Sequence, residues 1–509
     1  MDILTKTISQ LLLPRQREIE QFARHTGYIQ HKQLKSLLHK AGNTEWGRKF
    51  DFRSIRTYED FSQRLPLQTY DDIKPSVIRM INGKRDVLWP GDVRWYAKSS
   101  GTTNDKSKFI PFTPEIRRSH YKGGFDSVAI YLRNHPDSAF FSHKGLILGG
   151  CHSPSPLNRR AHCGDLSGIL IQHINPLVNL MRVPGKHIVL MDEWEEKIRL
   201  IVENVSNRDI GSLSGVPSWM LVIIKAVLEK TGRSHLTDVW PNLEVFFHGG
   251  ISFEPYRDQY KSLIPSDSMR YMEIYNASEG FFGIQDDPSD TAMLLMPDYG
   301  IFYEFIPVSD LHRPDAGPAA IPWEAVEPSR NYALAITTCG GLWRYVIGDT
   351  IRFTSVFPHK FVISGRIKHY INAFGEELIV DNADKAISLT CRETGAKVKE
   401  YTAAPLFMLN NAKGLHQWLI EFEKPPPSVT GFASILDKHL KELNSDYEAK
   451  RYKDITLLPL KITVAREGLF CDWLRIKGKL GGQHKIPRLS NDRRIIEELI
   501  ICMQQSPLH

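Results

Sequence analysis

From Leu146 onward the chain alternates short apolar runs with longer amphipathic stretches, and that alternation leaves few architectures open. The runs GLILGG, HIVLM, LEVFFHGG and MEIYNAS are each bounded by Gly, Asn or Pro, the pattern of buried strands. Between them, WEEKIRLIVENV and PSWMLVIIKAVLEKTG place apolar residues three and four apart, as helices with one buried face do. Strands alternating with helices predict an α/β fold, β-sheets flanked by helices. The region before VRWYA is helical in period, with EIEQFARHTGY and HKQLKSLLHKAG separated by turns.

A chain of 509 residues exceeds what one hydrophobic core usually organises, so two domains are expected. Near Thr354 to Lys368 the text TSVFPHKFVISGRIK reads as a strand, a Gly-Arg turn and new β material. Beyond it lie two β-rich stretches, a triple proline at Pro425 to Pro427 and the amphipathic helix FASILDKHLKELNSDYEAKRY. These features place a boundary close to Ile363, with a large domain over 1–362 and a smaller α+β domain over 363–509.

Several function classes are disfavoured. No apolar run approaches a membrane span, and the start MDILTKTISQLLLPRQREIEQF reads as an amphipathic helix, not a signal peptide, which predicts a cytoplasmic protein. The net charge of +7 is dispersed among 65 basic and 58 acidic residues, with no block and no motif for nucleic acid. Six cysteines are too sparse for a disulfide framework. Cys151, His152, His162 and Cys163 could in principle hold zinc, but paired Cys-His dipeptides nine residues apart do not follow finger spacing. The alternative is a proline-rich loop with ordinary thiols.

Residues Ser99 to Lys108 read SSGTTNDKSK. Gly101 among hydroxyl residues lets successive N–H groups form a concave nest for triphosphate oxygens, with Lys108 as countercharge. The Walker A pattern is absent from the chain. Taken alone, the stretch reads equally as an ordinary polar loop. Further along, FFHGG and MEIYNASEGFFG give two strand-then-glycine turns, the second ending in Glu279 beside Ser278. GGLWRYVIGDT places Asp349 directly after a strand, where a carboxylate can accept both hydroxyls of a ribose, and FVISGRIKHY puts Arg366 at the inferred domain junction.

In this order the motifs resemble the adenylate-forming enzymes, most closely the auxin-responsive family of acyl-acid amido synthetases of plants and their bacterial relatives, from about Phe52 to Leu489. The resemblance implies a phosphate loop of Ser99, Ser100, Gly101, Thr102 and Thr103 closed by Lys108. It implies that Tyr275, Ala277, Ser278 and Glu279 surround the adenine and the metal, with Glu279 the Mg²⁺ ligand. Asp349 would hold the ribose, and Arg366 would be the hinge arginine. GGQHKIPR nominates Lys485 as the lysine that reaches the acyl and α-phosphate oxygens. Trp219, in SGVPSWMLVII, is a candidate for the acid pocket, although apolar residues at this spacing are also plain core. One departure is Asn104-Asp105, where plant members carry a glycine at the second position; Asn and Asp tolerate a left-handed turn, but the added charge opposes a triphosphate.

The implied protein is an ATP- and Mg²⁺-dependent ligase that activates a small carboxylic acid as acyl-AMP and passes the acyl group to an amino acid. Its 1–362 domain would bind ATP and the acid, and 363–509 would be a mobile lid. A monomer without nucleic-acid or membrane partners is expected. The scattered histidines and the lack of a Ser-His-Asp set fit chemistry that relies on positioning and charge neutralisation. The same adenylation could instead serve a thioester ligase forming acyl-CoA, or the fold could persist as a catalytically silent binding protein.

Overall fold

The helical N-terminal region forms two long helices, Ile3–Glu20 and Phe22–Ala41. Asp2 caps the first, its carboxylate accepting from the Thr5 amide at 3.0 Å, which satisfies a donor that the first turn would otherwise leave unpaired. The second buries Phe22, Thr26, Gln30, Leu34, Leu37, Leu38 and Ala41, a stripe at helical spacing. Gln30 belongs in that apolar stripe because its amide serves the strand Ile301–Pro307. It donates to the Pro297 and Ile301 carbonyls at 2.7 and 2.9 Å and accepts from the Tyr303 amide at 2.9 Å. A computed structural model describes residues 2–99, 108–155, 158–250, 253, 256–311, 319–367, 370–371, 373, 376, 378–407, 414–444, 447–448, 451, 457–477 and 486–504; of Ser99, Trp194, Ser218, Arg366 and Tyr370 it describes the backbone alone.

The strands begin with β1 (Trp95–Ser99), β2 (Lys108–Pro111), β3 (Lys144–Ile147), β4 (His152–Pro154), β5 (His162–Gly164) and β6 (Arg182–Val183). They continue with β7 (Ile210–Gly215), β8 (Val245–Gly249), β9 (Arg270–Ala277), β10 (Gly280–Ile284) and β11 (Met293–Leu295). Next come β12 (Ile301–Pro307), β13 (Asn331–Thr338), β14 (Tyr345–Val356) and β15 (His359–Arg366). An eleven-stranded sheet runs β12-β13-β14-β15-β11-β10-β9-β8-β7-β3-β6, and a four-stranded one runs β2-β1-β5-β4. From β6 to β9 the pairing is parallel, through helical crossovers such as Pro217–Thr231, and from β9 to β15 it is antiparallel. The expected α/β architecture is therefore the one adopted.

One expected strand is absent. HIVLM supplies a single helical turn, Lys186–Val189, and the sheet edge is formed by Arg182–Val183 before it. A short buried apolar run suits either conformation. Here Ile188 packs with Ile201, Val202 and Val205 of a neighbouring helix, a contact a turn of helix provides.

The chain divides into two compact units. One runs to Val362, and the other holds Ile363 onward together with Gly348–Thr350. In the second unit β18 (Lys397–Phe407), β19 (Gly414–Lys424) and β20 (Lys461–Val464), which follow the short pair β16 (Tyr370–Ile371) and β17 (Leu378–Ile379), make a three-stranded sheet. Helices Val380–Thr394 and Val429–Leu443 cover one of its cores through Ala386, Ile387, Phe432, Leu436 and Leu440. No described helix is long and apolar enough to cross a membrane.

Within the first unit a buried ion pair joins distant segments. The Arg344 guanidinium donates to the Glu304 carboxylate from Nε at 3.1 and 3.0 Å and from Nη2 at 2.8 Å, and to the Ser62 and Leu65 carbonyls. Tyr58 donates to the same carboxylate at 3.0 Å. All three guanidinium nitrogens and both carboxylate oxygens thus have a partner, the condition under which burying two charges is tolerable. Glu304→Ala, which strands the Arg344 charge, is expected to lower stability by about 4 kcal/mol in urea unfolding, whereas the Arg344→Met/Glu304→Leu double variant recovers most of that loss.

Candidate functional site

β1 and β2 pair antiparallel with Ser99 opposite Lys108, so the two ends of SSGTTNDKSK are fixed side by side. Ser100, Gly101, Thr102 and Thr103 lie outside the described residues. Lys108 is half-buried; its Nζ is 3.4 Å from the Tyr345 hydroxyl and lies 5.8 and 5.9 Å from the ring centroids of Tyr70 and Tyr345.

Tyr275, Ala277, Ser278 and Glu279 share one hairpin. Ser278 and Glu279 form the two-residue connection between β9 and β10, with Ala277 opposite Gly280. A bulge between Phe281 and Gly283 then shifts the register, a device that re-aims side chains beside a turn. Glu279 is 5% exposed, an unusual burial for a carboxylate at a hairpin tip. Gly280 is required by close approach, since a Cβ there would lie 2.6 Å from Ile301 Cδ1. Tyr275 is buried against Phe282 and Phe361, with ring centroids 4.8 and 6.0 Å away.

Asp349 does not follow a strand but lies inside β14, which continues to Val356. Gly348, at φ 98°, interrupts the alternation, which is why the run looked finished there. The Ile367 amide donates to the Gly348 carbonyl at 2.7 Å, and Ser364 to Thr350 at 3.1 Å, holding the backbone on both sides of buried Asp349. Arg366 is the last residue of β15, one after Gly365. Trp219 is half-buried in the first turn of Pro217–Thr231, outside the core cluster that Met220, Ile223, Ile224 and Val227 of that helix enter. Lys485 lies outside the described residues.

The residues that follow Lys485 are firmly held. Arg488 Nη1 donates to Asp384 at 2.7 Å, and its guanidinium stacks 4.7 Å from the Tyr401 ring, whose hydroxyl donates to the same carboxylate at 2.6 Å. The Ala403 amide donates to the Arg488 carbonyl at 2.8 Å, the Ser490 amide to the Ala403 carbonyl at 3.1 Å and the Thr402 hydroxyl to the Pro487 carbonyl at 2.7 Å.

The zinc alternative does not hold among the described residues, where no group of three or more potential ligands gathers. His152 and His162, on the paired strands β4 and β5, instead pack around Trp95, with ring centroids 5.1 and 4.5 Å away, and His173 joins them at 4.7 Å. Burial pushes the Cys151 thiol up to about 12, and neighbouring Asp192 and Asp165 add to it.

Three polar residues around the hairpin, two buried and one half-buried, were not singled out from the sequence. Glu273 shares the Tyr275 face of β9 and pairs with His248 on β8. Burial pushes its carboxyl up to about 7 against the opposing Arg257 charge. His248 stacks on Phe253 at 4.1 Å and is pushed down to about 3, chiefly by burial. On the opposite face of β9, burial holds His120 down at about 4, with Asn276 opposing. The period-two spacing of Glu273 and Tyr275 was the available signal; that β8 lies beside β9 was not.

Three sequence models of the GH3 family match the chain: the N-terminal domain at residues 15–269, the central domain at 294–366 and the C-terminal domain at 381–494. The chain is 23% identical to indole-3-acetic acid-amido synthetase GH3.3 of Arabidopsis thaliana, over 95% of this chain and 92% of that protein. It is 21% identical to the 4-substituted benzoates-glutamate ligase GH3.12 of the same plant, over 96% and 97%. The solved structure of AtGH3.15 acyl acid amido synthetase in complex with 2,4-DB superposes with a TM-score of 0.78 at 17% identity, covering 98% of this chain and 96% of that one.

His120 and His248 set a sign for the pH response. Unfolded, each binds a proton near pH 6.5; folded, each stays neutral until about pH 4 and 3. At these two groups the unfolded chain takes up more protons as pH falls below 6.5, so their contribution to stability is lost in that direction, whereas the raised carboxyl of Glu273 contributes with the opposite sign. Between pH 7 and 5 the fall in unfolding free energy is expected to be smaller by about 2 kcal/mol in His120→Gln than in the parent chain, read from urea melts at the two pH values.

Proposed function

The chain belongs to the GH3 family, and from that membership we propose how its residues act as an ATP-dependent acyl-acid amido synthetase. A carboxylate resists an amine because it is charged and its oxygen leaves poorly. Attack of the acid oxygen on the α-phosphorus of ATP forms a P–O bond and expels pyrophosphate, giving an acyl-AMP. The amino group of an amino acid then attacks the acyl carbon, the C–O bond to AMP breaks and the amine gives up a proton. Acid–base groups matter less here than position and charge neutralisation.

Ser99, Ser100, Gly101, Thr102 and Thr103 present backbone amides and hydroxyls to the phosphates, and Lys108 adds its charge. Tyr275, Ala277 and Ser278 hold the nucleotide, Asp349 the ribose hydroxyls. Trp219 borders the acid, and Lys485 neutralises charge at the α-phosphate. Arg366 stands at the hinge between an ATP- and acid-binding domain, 1–362, and a lid, 363–509. Glu279 suits Mg²⁺: it is a single buried carboxylate with no ligand cluster around it among the described residues, and Mg²⁺ commonly takes one or two carboxylates and completes its shell with phosphates and water. When bound, the ion neutralises phosphate charge. We place the reaction in the cytoplasm, which the six free cysteines support, and in a monomer without nucleic-acid or membrane partners.

The observation that supports this reading most is the hairpin that buries Glu279 four residues after Tyr275, in a chain that matches the family along almost its whole length. Exchange of labelled pyrophosphate into ATP, run with Mg²⁺ across aryl, indolyl, aliphatic and fatty acids, tests it. Acid-dependent exchange that drops at least about 100-fold in both Glu279→Ala and Lys485→Ala is expected, followed by amide formation with amino acids. Exchange that feeds a CoA thioester and no amide would replace the acceptor, and ATP binding without any exchange would point to a silent relative.

A further inference from the structure

We propose that Tyr70 and Tyr345 are positioning residues that hold the Lys108 ammonium, Tyr70 with its ring and Tyr345 with its hydroxyl; the proposal rests on Lys108 serving ATP, as read above. Three constraints put the tyrosines there. Tyr70 opens the helix Tyr70–Ile81, whose start is set by Asp72 accepting from the Thr69 amide and hydroxyl at 2.7 and 2.6 Å. Just before that helix, Gln68 pairs in parallel with Tyr345: its amide donates to the Arg344 carbonyl at 2.8 Å, and its carbonyl accepts from Val346 at 2.9 Å. Arg344 is itself fixed by Glu304. The two tyrosines therefore stand on adjacent, hydrogen-bonded segments drawn from distant parts of the chain.

Each also grips β2 directly. The Tyr70 hydroxyl accepts from the Phe109 amide at 2.8 Å, so the ring cannot leave the first residues of that strand without breaking the bond. Tyr345 is fully buried, and Lys108 Nζ lies 3.4 Å from its hydroxyl. With its centroid 5.8 Å away, the Tyr70 ring is within cation–π range of the ammonium, whereas Tyr345 meets it through the hydroxyl at the edge of its ring. A ring face attracts an ammonium through its quadrupole without cancelling the charge, as a carboxylate would. It also restricts a side chain that has four rotatable bonds and loses much freedom on being held. The arrangement suits a cation that must be in place before a phosphate arrives.

The full-length chain and four variants, Tyr70→Leu, Tyr345→Phe, Lys108→Met and Tyr70→Leu/Lys108→Met, test this by calorimetric binding of MgATP and of AMP. Tyr70→Leu is expected to weaken MgATP binding about fivefold while leaving AMP binding unchanged, and Tyr345→Phe, which removes the hydroxyl facing the ammonium, to weaken it in the same direction. In the Lys108→Met background Tyr70→Leu should have no further effect on MgATP, because both its ring and its hydroxyl, which accepts from the neighbouring Phe109 amide, act by placing Lys108. Effects that multiply, or equal weakening of AMP and MgATP, would overturn the proposal, since a merely structural role predicts both. Tyr70 is half-buried, so its variant is expected to fold; the buried Tyr345 keeps its shape in the Phe variant. MgATP binding without acid-dependent exchange would count against the ligase reading alone, whereas no MgATP binding by the parent chain overturns both.

Discussion

The buried pair of Arg344 and Glu304 organises the part of the first unit from which β14 starts. Arg344 occupies left-handed backbone at φ 46°, a conformation that a non-glycine residue adopts at some energetic cost. Its guanidinium offsets that cost by binding Glu304 on β12 and the carbonyls of Ser62 and Leu65 at the end of a short helix. One side chain thereby ties the sheet edge, a surface helix and the entry to β14 into one geometry. Replacing such a pair with apolar groups need not reduce stability, so its plausible return is a unique register, and the register concerned begins at Tyr345.

The hairpin of β9 and β10 follows a different logic. It is built where the sheet changes from parallel to antiparallel, so β9 is flanked by β8 on one side and returns through a two-residue turn on the other. Helix Pro114–Asn134 lies against it so closely that a side chain at Gly123 would collide with the Phe281 ring at 2.5 Å. That packing removes water from one face of the strands and explains why His120 remains neutral, while on the other face His248 is buried against Phe246 and Phe253.

In the second unit the same principle acts on the segment after Lys485. Asp384, Tyr401 and Arg488 concentrate charge and hydrogen bonds within a core otherwise made of Leu436, Leu440, Trp418 and Leu489, and β18 takes Arg488 and Ser490 as an extra rung. Buried charges of this kind contribute definition of position more than stability.

The α/β class was legible because it depends on periodicity, and the order of the motifs because each is short. HIVLM misled because a run of that length satisfies helix and strand alike, and Asp349 because Gly348 imitates the end of a strand. By itself the sequence determined the architecture class, the helical N-terminal region and the succession of residues suited to phosphate, ribose and metal, all properties of neighbours along the chain. Only tertiary structure decided that Tyr70 and Tyr345 flank Lys108, that Glu273 stands beside His248 and that Glu273, His248 and His120 titrate far from their ordinary ranges. Those outcomes follow from which strands pair and from how much water the packed sheet excludes, and neither quantity is local to any stretch of residues.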